Sequence, residues 1–453
     1  MMVLQEKTTS SSDRVSSVWL VLLVVFLVTA ALLFLVLPKL DRVFAYTYSA
    51  HFQDGYDLIA NNLVNGNGYR LEANKGETMI REPGYPLFLA ALFKVAGYHL
   101  EAARFANWLL AIGIAIMIMR LTRLVTDDAR VALIASVLFL LHPGTIICEA
   151  RGGVEILFIF AILVFMLVLH WAVEKGGPWR YLVVGLVLGI VVQIRSTPMV
   201  FPVFLLFHLG LIANSARERL RAVSNVAILV FGMVVVMAPW TIRNYLLVHE
   251  FVPTATVQGL ALQEGQYACQ NFSSGKNYYV LQTEAGQERD DLAARLGIPS
   301  GTQYYQVFAD ARDEWKLNNT LLQGAKAEYV RHPALFATCV ARNAINFWFL
   351  GKTWVVTSLN MLIQIPVLIL TLSGLYLLHR RGLLHKMGIM LMFVLSAVAV
   401  HVAIAAEARY SIPLIAFLAI PASVAVVSIW QKCWTSARRE TALDASALWG
   451  ARL

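Results

Sequence analysis

The chain has 453 residues, of which 58% are hydrophobic and 14% are charged, and its mean hydropathy is +0.64. This composition excludes a soluble globular protein and is typical of a polytopic membrane protein. The formal net charge of +9 does not indicate nucleic-acid binding, because lysine and arginine gather in the cytoplasmic loops of membrane proteins. We therefore predict an all-α polytopic membrane protein with no nucleic-acid partner.

Apolar runs divide the chain into predicted membrane spans. A helix needs about 20 apolar residues to cross a hydrocarbon core of roughly 30 Å. The first run follows a polar stretch and is too long for the apolar core of a signal peptide, so we predict a retained anchor. The predicted spans lie near 16–37, 102–121, 131–147, 153–173, 180–195, 198–213, 223–242, 355–378, 387–406 and 410–431.

Several of these runs are too short for a simple span. The runs 180–195 and 198–213 are separated by Arg195-Ser196-Thr197-Pro198, which predicts a hairpin that turns near the outer surface. The stretch 84–98 carries Lys94 and is shorter than a membrane crossing requires. We predict a re-entrant or interfacial helix there and a second one over 334–350.

Basic residues set the predicted orientation. If the N-terminus is cytoplasmic, every basic cluster between spans falls on the same side, as the positive-inside rule requires. Counting 84–98 as a span would move the later clusters to the outside, so both termini are predicted to be cytoplasmic. The clusters are Arg120, Arg123 and Arg130; Lys175 and Arg180; Arg217, Arg219 and Arg221; Arg380, Arg381 and Lys386; and Lys432, Arg438 and Arg439.

This orientation predicts six regions, two of them on the outer side. The insert is polar and of mixed strand and helix character, and no internal repeat indicates an inverted-repeat transporter. The regions are an N-terminal tail and first span (1–37), a first outer loop with juxtamembrane or re-entrant helices (38–101), a transmembrane bundle (102–244), an outer insert (245–353), C-terminal spans (354–431) and a cytoplasmic tail (432–453).

The four cysteines, Cys148, Cys269, Cys339 and Cys433, do not have the spacing of metal ligands, so no zinc site is predicted. Cys269 and Cys339 both fall on the predicted outer side. The sequence leaves a disulfide between them open.

Asp54 is the first candidate for chemistry. It lies one helical turn before Asp57, at the start of a predicted helix from Tyr56 to Leu63. A carboxylate just outside the membrane can act as general base toward a hydroxyl or amine. The alternative is that Asp54 caps the helix, a position for which aspartate is a preferred residue.

Glu155 lies at the outer start of an apolar span, where a carboxylate needs a partner or a wet cavity. Arg151 and Glu149 are close in sequence and are candidates for that partner. The alternative is an interfacial side chain that faces lipid headgroups.

Three arginines, Arg195, Arg243 and Arg409, each fall at the predicted outer end of a different span. Arginine presents a planar fork of donors that matches a phosphate and stays charged. A single interfacial arginine is usually snorkelling. Three of them on the side away from the basic loops instead indicate one phosphate-binding face.

Segments with these residues resemble a known family nearly from end to end. They are Asp54 to Leu63 with Gly66 and Gly68; Arg81-Glu82-Pro83-Gly84-Tyr85-Pro86-Leu87-Phe88-Leu89; Glu155 to Phe158; Arg195; Pro239-Trp240-Thr241-Ile242-Arg243-Asn244-Tyr245; and Arg409-Tyr410-Ser411-Ile412-Pro413-Leu414. The order of these elements is more specific than any one of them. The chain resembles the C-type superfamily of membrane glycosyltransferases, in the branch with protein O-mannosyltransferases and the aminoarabinose transferases of lipid A.

The resemblance implies a GT-C-like transmembrane helix bundle with periplasmic juxtamembrane helices and a small periplasmic insert. It implies a polyprenyl-phosphate-linked hexose or pentose as donor, a membrane lipid environment, and inverting transfer on the periplasmic side of a bacterial inner membrane. The acceptor, a glycolipid, glycan or protein, stays open. Some relatives use a divalent metal and others do not; this chain shows no complete ligand set, so no metal ligand is assigned and a divalent metal stays open.

The resemblance also implies roles for individual residues. Asp54 matches the acidic residue of the first outer loop and is the predicted catalytic base, and Arg243 and Arg409 are candidates for holding the lipid phosphate. Glu82, beside Arg81, stands where the aminoarabinose transferases have lysine, which argues against a lipid A activity. The predicted substrate-binding residues are Asp57, Arg81, Glu82, Tyr85, Glu155, Arg195, Arg243, Asn244, Arg409 and Tyr410.

Three alternatives stay open at this point. A flippase for lipid-linked sugars would also need cations for phosphate, but within the spans and on both sides. A glycan ligase or polymerase would use a similar donor and a similar number of spans. An inactive assembly subunit would carry the same acids as structural residues.

Overall fold

The computed structural model describes residues 11–37, 54–298, 308 and 310–450. Within these ranges every regular element is a helix, which confirms the predicted all-α class. The first part of the predicted outer loop, 38–53, including Phe52 and Gln53 of the first motif, lies outside the described residues. The α-helices are α1 (Ser11–Ala31), α2 (Tyr56–Val64), α3 (Gly84–Ala96), α4 (Leu100–Thr126), α5 (Ala129–Leu140), α6 (Pro143–Ala150), α7 (Val154–Lys175), α8 (Pro178–Ile194), α9 (Phe201–Ile212), α10 (Ala216–Val248), α11 (Val257–Gln270), α12 (Tyr278–Arg295), α13 (Ala311–Arg331), α14 (Pro333–Phe349), α15 (Trp354–Arg380), α16 (Gly388–Ile404) and α17 (Ile412–Gly450).

The length of these helices fits a multi-pass membrane protein. Seven segments of the described chain are long and apolar enough to cross a membrane, and eight if the bent pair α5 and α6 counts as one span. That pair replaces the single span predicted over 131–147, because the helix breaks before Pro143 and turns by 52°. Proline has no backbone N–H and cannot continue the helical bonding of the preceding turn.

Helix α17 lies at the centre of the bundle. In the most apolar 18-residue stretch of the segment Ala408–Cys433, 83% of the residues are buried inside the protein. Its closest neighbour is α15, and a methyl group on Gly374 of α15 would come within 1.7 Å of the Pro421 carbonyl oxygen. Only glycine allows these two backbones to approach so closely.

Helices α8 and α10 pack in the same manner. A Cβ on Gly185 of α8 would collide with the Leu229 carbonyl oxygen of α10 at 2.0 Å, and a Cβ on Gly232 would meet the Leu182 carbonyl oxygen at 2.7 Å. This packing holds the C-terminal end of α8 in place. The chain then passes through extended Arg195 (φ −150°, ψ 130°) into a 3-10 turn over Thr197–Val200 and on into α9. The hairpin at this break stays a prediction.

The insert differs from its prediction. In its described part it consists of α11 to α14, with the 3-10 turn Phe272–Ser274, so the expected strand character is wrong there. Cys269 of α11 and Cys339 of α14 form a disulfide, with 5.6 Å between their Cα atoms. Buried apolar side chains such as Leu281, Leu317 and Leu321 supply its small cores. The Gln- and Tyr-rich residues 299–307 lie outside the described residues.

Two short helices occupy the stretches predicted to be re-entrant or interfacial. Helix α3 has 13 residues and α14 has 17, so neither meets the length of a span. Both leave large apolar side chains uncovered, among them Leu87 and Val95 on α3 and Ile345 on α14. The interfacial position of both helices stays a prediction.

Candidate active site

Asp54 lies between two arginines that are far apart in the sequence. Its Oδ1 is 3.5 Å from Nη2 of Arg81, and its Oδ2 is 3.6 Å from Nη1 of Arg409. The Arg81 Nε also donates to the Asp54 backbone carbonyl oxygen at 3.0 Å. The structure thus brings the predicted base together with two of the predicted phosphate ligands.

The local backbone points Asp54 away from the helix that follows it. The N-cap of α2 is Gly55, in the left-handed region at φ 71°, and no side chain caps the helix. A left-handed residue at this position favours glycine, because it lacks a Cβ. Asp54 is therefore not the helix cap that the sequence allowed, and its carboxylate is turned toward the arginines.

The charge around Asp54 is strongly positive. Burial opposes ionisation of its carboxyl group, but Arg409, Arg81, Arg195 and Lys352 outweigh that cost and hold the pKa of Asp54 below its usual value. Nearby cations favour the charged form of a carboxyl group. Asp54 is thus an ionised acid at neutral pH. We call Asp54, Arg81, Arg195, Lys352 and Arg409 the Asp54 cluster.

Arg195 reaches this cluster from the end of α8. Its Nη1 is 3.5 Å from Oε1 of Glu155, whose side chain is 10% exposed. Glu155 therefore finds its partner in Arg195, and not in the neighbouring Arg151 or Glu149 that the sequence suggested. The guanidinium carbons of Arg195 and Arg409 lie 5.4 and 5.1 Å from the centre of the Tyr410 ring, so one aromatic ring contacts both cations.

Lys352 of the Asp54 cluster and Glu407 beside it were not among the predicted site residues. The Lys352 ammonium is 3.7 Å from Oε2 of Glu407, and the same oxygen is 4.0 Å from Nε of Arg409. The backbone supports this arrangement, because Ala408 N donates to the Leu350 carbonyl oxygen at 2.9 Å. Lys352 could have been predicted, because it is a basic residue at the outer end of a span. The arginines were selected by the same criterion.

A cleft opens beside Arg195 and runs along apolar side chains. It measures about 360 Å³ with its open mouth included. Its polar end is formed by Arg195, His401 and Tyr410, and the imidazole and phenol rings stack at 4.4 Å. The rest of its lining is mainly apolar and comes from α7, α16 and α17, namely Phe158, Phe393, Ala397, Pro413 and Leu414.

Glu82 and Tyr85 fasten the Arg81 segment to the ends of two spans. Oε1 of Glu82 accepts from the Ser196 backbone N–H at 3.3 Å, and the Tyr85 hydroxyl donates to the Gly152 carbonyl oxygen. Both side chains are buried. A Cβ on Gly84 would come within 2.7 Å of the Gln193 carbonyl oxygen, so this glycine allows the close approach. In this structure the two residues position Arg81 beside Arg195.

Asp57 is buried behind Asp54, on the first turn of α2. Its Oδ2 accepts from the Tyr98 hydroxyl at 2.6 Å. Tyr98 follows α3, so this bond ties α2 to the end of α3. Through this contact Asp57 supports the packing of α2 against α3.

Arg243 and Asn244 lie in a separate group. Nη1 of Arg243 donates to the Thr78 carbonyl oxygen at 2.8 Å and to Oδ1 of Asn244 at 3.1 Å, and Nη2 is 3.1 Å from Oε2 of Glu77. Asn244 is fully buried and donates to the Val252 carbonyl oxygen at 3.0 Å. We call Glu77, Arg243 and Asn244, with the rings of Tyr69 and Trp240 against Arg243, the Arg243 cluster.

The two clusters are joined by Tyr69. Its ring packs against Trp240 with 4.8 Å between ring centres, and its hydroxyl lies 3.0 Å from the Arg81 carbonyl oxygen and 3.2 Å from that of Glu82. Arg243 therefore supports the segment that presents Arg81. In this structure the guanidinium of Arg243 contacts groups of the protein, and a role in binding the lipid phosphate stays a prediction.

A resident metal ion finds no ready ligand set. Among the residues that the structure describes, no group of three or more histidine, cysteine, aspartate and glutamate side chains could hold one.

Comparison with known proteins bears on the same segments. Residues 81–242, about a third of the chain, match the family model described as dolichyl-phosphate-mannose-protein mannosyltransferase. The matched segment contains Arg81, Glu155, Arg195 and the start of the Pro239-Trp240-Thr241-Ile242 motif. The chain resembles a membrane glycosyltransferase. The match confirms over this segment the resemblance that the motifs indicated.

Solved structures are similar along more of the chain. ArnT from Cupriavidus metallidurans bound to undecaprenyl phosphate is 14% identical, with 92% of this chain and 78% of that chain covered and a TM-score of 0.40. ArnT from the same organism in the apo state is 16% identical, with coverages of 87% and 78% and a TM-score of 0.38. No curated protein matches the chain.

Proposed function

We propose that this chain is an integral membrane glycosyltransferase that moves a hexosyl or pentosyl unit from a polyprenyl-phosphate donor to an acceptor. The observation that carries the proposal is the placement of the Asp54 carboxylate between Arg81 and Arg409. The proposed general base is then in direct contact with the proposed ligands of the phosphate leaving group. The family match over 81–242 supports the reaction class.

The cleft beside Arg195 supports a lipid-phosphate donor. Its polar end offers a guanidinium and the Tyr410 ring, and its apolar lining continues between spans. A polyprenyl phosphate has the same division into one charged group and a long apolar chain. The solved ArnT structure holds undecaprenyl phosphate, and we assign a lipid of this class to the cleft of this protein.

The reaction follows as a single displacement. An acceptor hydroxyl or amine attacks the anomeric carbon while Asp54 takes its proton, and the bond from that carbon to the phosphate oxygen breaks. The electron pair of that bond stays on the phosphate, whose developing charge is stabilised by Arg81 and Arg409. Attack from the face opposite the phosphate inverts the anomeric centre.

The outer insert is the proposed acceptor-binding region. The Cys269–Cys339 disulfide supports its position outside the cytoplasm, because disulfides persist in oxidising compartments. We place the active site on the periplasmic side of a bacterial inner membrane, with both termini cytoplasmic. Helices α11 to α14 then cover the site from the side on which a glycan, glycolipid or protein acceptor arrives.

The direct test is sugar transfer by purified protein in liposomes with a panel of labelled polyprenyl-phosphate sugars. We expect one donor to be turned over, and we expect Asp54→Asn to lower that turnover by about 10²–10⁴-fold because the general base is lost. Asp127→Asn, at an exposed position between α4 and α5, makes the same chemical change away from the site and the insert and should leave the rate unchanged.

Two results would contradict this proposal. A folded Asp54→Asn protein with full turnover would remove Asp54 as base. Movement of an intact donor across the bilayer, with no cleavage by either protein, would instead identify a flippase.

A further inference from the structure

One carboxylate is shared by two guanidinium groups at this site. Each oxygen of Asp54 faces a different arginine, at 3.5 Å for Arg81 and 3.6 Å for Arg409. These separations exceed the usual N–H···O distance, so both contacts are ion pairs with little hydrogen-bond character. Neither arginine is locked to the carboxylate.

Each arginine also has a contact that does not depend on the Asp54 charge. Arg81 Nε donates to the backbone carbonyl oxygen of Asp54, and Arg409 lies against Tyr410 and near Glu407. If the Asp54 carboxylate became neutral, both guanidinium groups would keep their positions. Their charge would then be available to another anion.

The proposed reaction creates such an anion at the moment when Asp54 is neutralised. The donor phosphate is a diester with one negative charge, and after the bond to the sugar breaks it is a monoester with two. The proton that leaves the acceptor converts Asp54 from one negative charge to none. One negative charge thus moves from Asp54 to the phosphate, and the total charge of the site is unchanged.

We propose that Asp54 and the lipid phosphate compete for Arg81 and Arg409, so that the protonation state of Asp54 determines whether the lipid phosphate product is retained or released. The proposal rests on the proposed glycosyl transfer. After transfer, neutral Asp54 leaves both arginines to the product phosphate. When Asp54 gives its proton to water, its carboxylate takes the arginines back and the lipid is released.

Other charges near the arginines do not offer the same exchange. Glu407 lies 4.0 Å from Arg409 but is also paired with Lys352 at 3.7 Å, so it is already balanced. Glu155 is paired with Arg195. Among the described residues, Asp54 is the carboxylate that contacts both Arg81 and Arg409, and it is also the proposed base.

The test is equilibrium binding of undecaprenyl phosphate to wild-type protein and to Asp54→Asn in nanodiscs, with no sugar donor present. Asparagine has the shape of aspartate without its charge, so it imitates the protonated base. We expect Asp54→Asn to bind the lipid phosphate roughly five- to thirtyfold more tightly, as the release of two partly exposed ion pairs allows. Most substitutions in a binding site weaken binding, so a gain is a distinctive result.

Controls separate this effect from general changes in the cleft. Undecaprenol, which lacks the phosphate, should bind equally to both proteins, and Asp127→Asn should behave as wild type. Adding Arg409→Met to Asp54→Asn should remove the gain. Equal or weaker binding of undecaprenyl phosphate by a folded Asp54→Asn protein would overturn the proposal, as would a gain that persists without Arg409.

This measurement reads binding and not turnover, so its failure is distinct from failure of the proposed reaction. A wild-type protein that transfers no sugar from any donor would contradict the glycosyltransferase function. A wild-type protein that transfers sugar, with a variant that shows no gain in product affinity, would contradict only the exchange of arginines.

Discussion

The Asp54 cluster and the Arg243 cluster both combine arginine with carboxylate, but their arginines face different partners. The guanidinium of Arg243 contacts the Thr78 backbone carbonyl oxygen, the Asn244 side-chain oxygen and the Glu77 carboxylate, at 2.8 to 3.1 Å. Arg81 and Arg409 make longer contacts with a single carboxylate, at 3.5 and 3.6 Å. The first arrangement satisfies an arginine within the fold, and the second leaves charge that a ligand can use.

This difference teaches how to interpret an arginine at the outer end of a span. Bonds of about 3 Å from both Nη atoms to groups of the fold indicate that the side chain supports a loop, as for Arg243. Longer Nη contacts with a carboxylate, as for Arg81 and Arg409, indicate a group that can change partners. The clusters also differ in what surrounds them, since Arg195 of the Asp54 cluster lines a mainly apolar cleft and the Arg243 cluster is bounded by Trp240 and Tyr69.

The largest expected difference between the clusters is in the rate of transfer. Arg409→Met should lower kcat/KM for the donor by about 10²–10³-fold, since it removes a charge aimed at the leaving phosphate. Arg243→Met should have a much smaller effect, through the position of Arg81. Steady-state kinetics on the two purified variants makes the comparison. Equal losses of rate in both would contradict the assignment of Arg409 to the phosphate and of Arg243 to a supporting role.

A second prediction concerns the disulfide of the insert, which lies in the part of the chain that leads to Arg409. The disulfide joins α11 to α14, and α14 leads into the segment whose Leu350 carbonyl accepts from Ala408 N, beside Arg409. Removing it by Cys339→Ser should destabilise the protein by about 2–4 kcal/mol. Thermal unfolding in detergent measures this as a lower Tm.

The matched control for the disulfide is Cys433→Ser, which changes an exposed thiol at the other end of the chain. Its Tm should equal that of the wild type. An unchanged Tm for Cys339→Ser would mean that the insert is held by its packed helices alone.

The stability of the Arg243 cluster gives a third comparison. Arg243→Met leaves Glu77 and the Thr78 carbonyl oxygen without their donor, and bonds of charged groups contribute about 1.5–3 kcal/mol. We expect a lower Tm for this variant and a Tm near that of the wild type for Arg295→Met, an exposed arginine of α12. A stable Arg243→Met protein with lost donor binding would return Arg243 to the set of phosphate ligands.

The smallest expected effect is on the pH dependence of the rate. Asp54 must be ionised to act as base, so kcat/KM falls as pH falls through the pKa of Asp54 in the free enzyme. The arginines and Lys352 hold that pKa below its usual value, so the acid limb lies below the usual range of an aspartate. Arg409→Met should move the limb upward, because it removes one of the cations that favour the charged form.

Arg409→Lys keeps the positive charge and should leave the acid limb near its wild-type position. Arg243→Met should also leave it unchanged, because Arg243 is not among the charges that act on Asp54. A limb that moves equally in all three variants would assign the titration to a group other than Asp54.

The sequence predicted the membrane-spanning helices and much of the Asp54 cluster, because both have strong local signals. Long apolar runs identify spans, and arginines against the orientation bias mark the outer end of the bundle. The sequence could not separate Arg409 from Arg243, since both lie close to aromatic and proline residues at span ends. The difference lies in Thr78 and Glu77, which come from the first outer loop and precede Arg243 by 165 and 166 residues.

Other contacts that the sequence did not predict also join residues that are far apart along the chain. Glu155 pairs with Arg195, 40 residues later, and not with its sequence neighbours. Lys352 enters the cluster from a loop whose position depends on how α14 and α15 pack. Local patterns give the helix ends, whereas the pairing of charges depends on which ends the bundle brings together.

The Cys269–Cys339 disulfide has a practical consequence for handling the protein. Reducing agents are commonly added to membrane-protein samples to protect exposed thiols such as Cys433, and here they would also open the bond that joins α11 to α14. Expression in a reducing compartment would leave the same bond unformed. A preparation that carries Cys433→Ser should be expressed so that the insert folds in an oxidising compartment, and it should be purified without thiols. The disulfide between α11 and α14 would then stay intact.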